Sequence, residues 1–141
     1  MLNAARTATA FGVALWSGLI ALGNVVDYPT NFAFVQHVMS MDTTFPENRL
    51  LGRAITVPWT HHAAYALIIA VEWLMALLCG WGAVELVRAR RRPERFAKGR
   101  RLAAAGYLAG IMLFFVGFAA IGGEWFAMWQ SATWNGVDAA F

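Results

Sequence analysis

Three long apolar runs alternate with polar segments along this chain. Ala8–Val26 and Leu102–Gly123 contain no charged residue, and Ala63–Val87 contains only Glu72 and, near its end, Glu85. A helix needs about 20 apolar residues to cross the hydrocarbon of a bilayer, and each run meets that length. In the polar stretch Tyr28–His62 the pattern changes. Phe32–Met41 reads as a short amphipathic helix with Asn31 as its N-cap. Ala33, Gln36, His37 and Ser40 share one face at helical spacing, and Phe32, Phe34, Val35, Val38 and Met39 cover the other. Thr44-Phe-Pro-Glu47 has the form of a capping box with a proline in the first turn. It predicts a second short helix from Phe45 to about Ile55, stopped by Pro58, after which Thr60 caps the next helix. Helices of this length are marginal alone and belong in the membrane interface or docked on the spans.

Composition agrees with lipid as solvent. Hydrophobic residues make up 60% and charged residues 13%, against about 25% charged in a soluble domain. Of the 11 Lys and Arg, all but Arg6, Arg49 and Arg53 fall between Arg88 and Arg101. The positive-inside rule places that loop in the cytoplasm, which puts the N-terminus with it and Tyr28–His62 outside. Arg88, Arg90, Arg91, Arg92, Arg95, Lys98, Arg100 and Arg101 are expected to contact phospholipid headgroups. A basic run between two apolar spans does not read as a nucleic-acid site. The first run is longer than the roughly 7–15 apolar residues of a signal peptide, and no small-x-small cleavage site precedes Asp27, so it reads as an uncleaved helix.

The expectation is a single all-α membrane domain in a bacterial inner membrane. Its spans are about 8–26, 63–87 and 102–123, with an outer lid at 28–62. A cytoplasmic loop, 88–101, is broken by Pro93 and Gly99, and an outer segment, 124–141, carries a belt of Trp125, Phe126 and Trp129. Gly12, Ser17, Gly18 and Gly23, and Gly106, Gly110 and Gly117, are positions where a second helix can approach.

Candidate chemistry is sparse. Glu72 lies about halfway down the second run, where an ionised carboxylate in hydrocarbon costs several kcal/mol. With about 3.6 residues per turn, His61, Tyr65 and Glu72 fall on one stripe, which fits either a proton or ion path or a hydrogen bond that fixes packing. His37 with His61 could clasp a metal together with Asp27, Asp42 or Glu124, but no spacing specifies such a site, and neither metal nor cofactor is expected. Haem held between spans is excluded within this chain, because the first and third runs have no histidine. Cys79, alone in an apolar run, reads as a small packing residue. Ser17, Ser40 and Ser131 have no nucleophile motif around them.

Three stretches, NFAFVQHVMSMDTTFP, RAITVPWTHHAAY with Glu72 downstream, and GGEWFAMWQSATWNG, resemble a bacterial family of predicted small integral membrane proteins, domain of unknown function 2165. The resemblance implies a topology and no mechanism. Members of that family continue into a fourth span beyond the equivalent of Ala140-Phe141. It offers Asn31, His37, Asp42, Arg53, His61, His62, Glu72, Glu124, Trp125, Trp129, Trp134 and Asn135 as candidates. Asn31, His37, Asp42, Arg53, His62, Glu124, Trp125 and Trp129 are expected to form an outer-face cluster beside the polar stripe. The functional expectation is a non-enzymatic accessory subunit bound to a larger membrane complex of respiratory or photosynthetic type. The alternative is a small oligomeric transporter or channel that uses Glu72 and the outer histidines.

Overall fold

A computed structural model describes residues 2–89 and 91–137, and every regular element in them is helical. Helix α1 covers Leu2–Val26, α2 Tyr28–Ser40, α3 Pro58–Arg88 and α4 Arg95–Ile111. From Met112 to Trp125 the α4 path continues as a π-helix, closed by a Phe126 N–H bond to the Ile121 carbonyl at 3.0 Å. Single 3-10 turns lie at Leu51–Arg53 and Met128–Gln130. Asn3–Val26, Pro58–Arg88 and Arg95–Trp125 are long and apolar enough to cross a membrane. At 31 residues, α3 is about 46 Å long, more than the roughly 30 Å of hydrocarbon. The spans also expose large apolar side chains, among them Phe11 and Leu19 on α1, Leu67 and Leu77 on α3, and Leu108 and Phe115 on the third span.

Contacts divide the chain into two units. One contains residues up to Gly23 together with Ile69–Gly110; the other contains Asn24–Ile68 together with residues from Ile111 onward.

In the first unit α3 and α4 meet along a seam of small residues. Gly99, Ala103, Gly106 and Gly110 recur at helical spacing on α4, and all are buried. A Cβ on Gly82 would lie 2.7 Å from the Ala103 amide nitrogen. One on Gly99 would lie 2.9 Å from Leu86, one on Gly110 2.8 Å from Met75 Cε, and one on Gly106 would collide with the Cys79 sulfur. Without a hydrophobic driving force in lipid, helices associate through such close backbone packing. Helix α1 joins through Ala10, packed with Ala83 and Ala103, and through Ala14, which faces Gly80 of α3 at ordinary contact distance.

The second unit has its own core of Val38, Met41, Phe126, Ala127 and Met128, flanked by Phe34, Leu50, Trp134 and Val137. Two chain reversals bring these residues together. Met41 ends α2 with φ 53°, and Ala127 starts the last 3-10 turn with φ 51°. Both are non-glycine residues in the left-handed region.

Several local expectations are corrected. Helix α2 begins at Tyr28, not after Asn31, because Pro29 sits in its first turn, where its fixed φ is pre-organised and no N–H is needed. The Asn31 side chain instead donates to the Asp27 carbonyl. The second lid helix does not form. The Thr44 hydroxyl turns back to the Met41 carbonyl at 2.9 Å, and the Asn48 side chain accepts the Leu50 N–H at 2.9 Å. Such local bonds compete with a helix. Pro58 opens α3 in place of Thr60, and the Thr60 hydroxyl bonds back to the Val57 carbonyl. Gly99 lies inside α4, buried against Leu86, and does not break it. Gly12 and Gly23 have nothing within 4 Å of an added Cβ, and Gly117 meets only atoms of its own helix. The 3.6-residue repeat that aligned Gly117 with Gly106 and Gly110 lapses where the bonding becomes π at Met112. Phe126 belongs to the core, while Trp125 and Trp129 stay about half exposed. Residues 138–141, where the resemblance sets a further span to follow, lie outside the described residues.

The seam makes a direct prediction. Gly106→Val should destabilise the helix pair by about 1–3 kcal/mol through overpacking, read as a lower thermal midpoint in detergent, while Gly12→Ala should not. Equal midpoints for Gly106→Val and the parent chain would rule out the contact.

Candidate functional site

The lid and the return segment after the third span form one structured surface. His37, on α2, places Nδ1 2.8 Å from the Asp42 carboxylate and stacks its ring on Trp134 at 4.7 Å between centroids. The lid is also tied to the return by a Thr43–Ser131 hydroxyl bond at 2.8 Å and by the Phe45 N–H, which donates to the Gln130 side chain. Arg53 lies over the Trp125 ring at 4.7 Å and donates to the Trp125 carbonyl at 3.3 Å. Phe45 meets Trp129 edge to face at 6.0 Å. The Ile55 N–H closes the lid on itself by donating to the Met39 carbonyl at 2.8 Å.

His62 belongs to a separate aromatic group. Its ring stacks on Phe32 at 4.1 Å, and its Nδ1 lies 2.8 Å from the Tyr28 hydroxyl. Tyr28 in turn meets Tyr65 edge to face at 4.7 Å. The Tyr65 hydroxyl donates to the Asn24 carbonyl at 3.0 Å, and His61 Nε2 lies 2.7 Å from the Ile55 carbonyl. The three histidines thus have three different partners. Among the described residues, no group of three or more His, Cys, Asp or Glu is placed to hold a metal ion.

A third cluster, in the other unit, sits where α3 turns into α4. The Glu85 side chain is only 2% exposed. It accepts from Arg95 at 2.9 Å and from the Trp81 indole at 3.2 Å, with Lys98 at 3.5 Å and Arg88 at 3.9 Å. Lys98 also lies over the Trp81 ring. One carboxylate therefore gathers cations from both helices, across the turn between them.

The family described as predicted small integral membrane protein (DUF2165) matches residues 2–141. The chain belongs to this family. No curated protein and no solved structure matches it.

As a DUF2165 protein, the chain is an integral membrane protein and contacts the bilayer. Its expected outer cluster resolves into parts. His37 and Asp42 come together, as do Arg53 and Trp125; Trp129 pairs with Phe45, a residue that the sequence does not mark as a candidate. His62 lies with Tyr28 and Phe32, Asn31 serves only its own helix, and Glu124 is exposed. His61, Tyr65 and Glu72 are each 2% exposed, the first two in one unit and Glu72 in the other. Among the expected headgroup ligands, Arg88, Arg95 and Lys98 turn to Glu85. Arg91, Arg92, Arg100 and Arg101 are exposed, and Arg90 lies outside the described residues.

Sequence reasoning passed over Glu85 as an acid beside arginines. The available signal was its place just before a proline-containing turn, with Arg95 and Lys98 just beyond it. Glu85→Gln should lower the thermal midpoint of the purified DUF2165 chain, because the partly exposed Arg88, Arg95 and Lys98 lose the one buried counter-charge that gathers them. Arg91→Gln, at an exposed position, is the control; an unchanged midpoint for Glu85→Gln would show that the cluster is incidental. At the cap formed by the lid and the return, Gly136→Val should be more damaging than Asp42→Asn. A Cβ at Gly136 would lie 2.7 Å from the Phe34 ring, whereas an exposed ion pair contributes only about 0–1 kcal/mol. The comparison is read in the same assay, and the reverse order would sink this account of the cap.

Proposed function

We propose that this protein is a non-catalytic accessory subunit of a larger membrane assembly, of respiratory or photosynthetic type, in a bacterial inner membrane with its N-terminus in the cytoplasm. The observation that carries the reading is the outer cap. Phe45, Trp125 and Trp129 are each about half exposed, yet they are held by mutual ring contacts, by Arg53 and by the bonds that join lid to return. Trp, Phe and Arg are enriched where proteins bind one another, and side chains fixed in advance lose less freedom on docking. The cluster of Arg and Lys around the α3–α4 turn supports a cytoplasmic location for that end.

A second reading, a small oligomeric transporter or channel, draws on Glu72, a carboxylate 2% exposed within a span. Such residues commonly mark ion or proton paths.

Purification under native conditions followed by mass spectrometry separates the two. Larger membrane subunits should copurify at fixed stoichiometry, and Phe45→Ala combined with Trp129→Ala should reduce their recovery several-fold without lowering the amount of this chain. A homo-oligomer that conducts ions in liposomes, with conduction lost in Glu72→Gln, would overturn the accessory reading in favour of the transporter.

A further inference from the structure

The cations around the α3–α4 turn fall into two sets. Arg88, Arg95 and Lys98 surround Glu85. Arg100 and Arg101 project from the first turns of α4 on the side where Arg6 of α1 approaches. Arg6 and Arg100 share one aromatic neighbour, Phe96, with guanidinium carbons 5.7 and 5.6 Å from its ring centre. Among the described residues, no carboxylate lies within 4.0 Å of Arg6, Arg100 or Arg101. Arg6 has only the Asn3 side-chain oxygen, at 3.4 Å.

These three arginines line one cleft of about 540 Å³, and the rest of its wall is largely apolar, including Leu86, Ala104 and the body of Tyr107. Three uncompensated guanidiniums therefore stand beside an apolar trough that follows the helices into their membrane-spanning portion. We propose that this cleft binds one anionic glycerophospholipid. Its phosphate lies among Arg6, Arg100 and Arg101, and an acyl chain lies along Leu86, Ala104 and Tyr107.

The chemistry selects this occupant. Guanidinium forks match phosphate oxygens in paired hydrogen bonds, and basic pockets between membrane helices suit anionic headgroups. A zwitterionic lipid brings its own ammonium, which the three arginines repel. A free phosphate ion leaves the apolar wall uncovered. The site does not depend on the accessory-subunit reading, since it lies wholly in the unit built from most of α1, most of α3 and the first half of the third span.

The test is native mass spectrometry of the full chain in detergent, titrated separately with phosphatidylglycerol and phosphatidylcholine. Phosphatidylglycerol should be retained preferentially. Arg100→Gln with Arg101→Gln should weaken that retention by about tenfold or more. Ala104→Trp, which fills the trough and leaves every arginine in place, should weaken it too. Arg91→Gln with Arg92→Gln, which removes two exposed cations outside the cleft, should leave it unchanged. Circular dichroism establishes that each variant retains its helices. Equal losses in the two double variants would overturn the proposal in favour of diffuse surface attraction. Displacement of the lipid by inorganic phosphate alone, or equal retention of the two lipids, would overturn it as well.

Discussion

Hydrocarbon offers no water to a peptide group, so a chain that crosses it must satisfy its own backbone, and helices do so within one segment. That constraint governs this protein throughout. It makes the spans helical, and it leaves packing between them to depend on how closely two backbones can come. In the unit containing α3 and α4, glycine answers that need. Where Gly82, Gly99, Gly106 and Gly110 lack a side chain, neighbouring atoms occupy the place a Cβ would take. Dispersion contacts across such a surface are individually tiny and collectively large. At the end of the seam the turn is held differently, by charge, because near the headgroups Arg95 and Lys98 can reach water and still close on Glu85.

The two polar regions answer the same solvent change in opposite ways. At Glu85 one buried acid collects several partly exposed cations, and removing them leaves its charge without compensation. In the unit that holds the lid and the return the contacts are mostly not ion pairs: hydroxyl to hydroxyl between Thr43 and Ser131, imidazole to carbonyl at His61, ring on ring at His62 and Phe32. Neutral bonds cost less to bury than an ion. Among the described residues the three histidines are accordingly spread over separate partners: Asp42, the Ile55 carbonyl and the Tyr28 hydroxyl.

What could be read in advance followed from strong, one-dimensional signals. Three apolar runs of membrane length, with most of the basic residues between two of them, specify helices and spans in nearly any context. The Gly106–Gly110 contact was legible because its four-residue spacing is the rule for close packing. Signals decided by a competing local bond, or by partners distant in sequence, were not legible. Thr44 and Glu47 have the letters of a capping box, but the Thr44 hydroxyl found a nearer carbonyl at Met41. Gly117 has the right spacing on paper, but the helix changes its hydrogen-bond step before reaching it. Phe126 was placed in an interfacial belt with its tryptophan neighbours and proved to be core. Its burial depends on Val38 and Met41 arriving from the lid, which no local pattern announces. The candidate site fared likewise: its residue types were visible, while the pairing of His37 with Trp134 and of Arg53 with Trp125 joins segments separated by two spans.

The left-handed turns at Met41 and Ala127 bear on how the cap is made. Each holds a non-glycine residue where the backbone costs about 1–3 kcal/mol, and each feeds its neighbours into the same core. Neither reversal is favoured by its own sequence, so each persists because the other segment packs against it. During synthesis the lid leaves the ribosome well before the return segment, which follows the third span. The lid's half of the core must then stay open until the return segment arrives, so the cap closes only after the third span has been made.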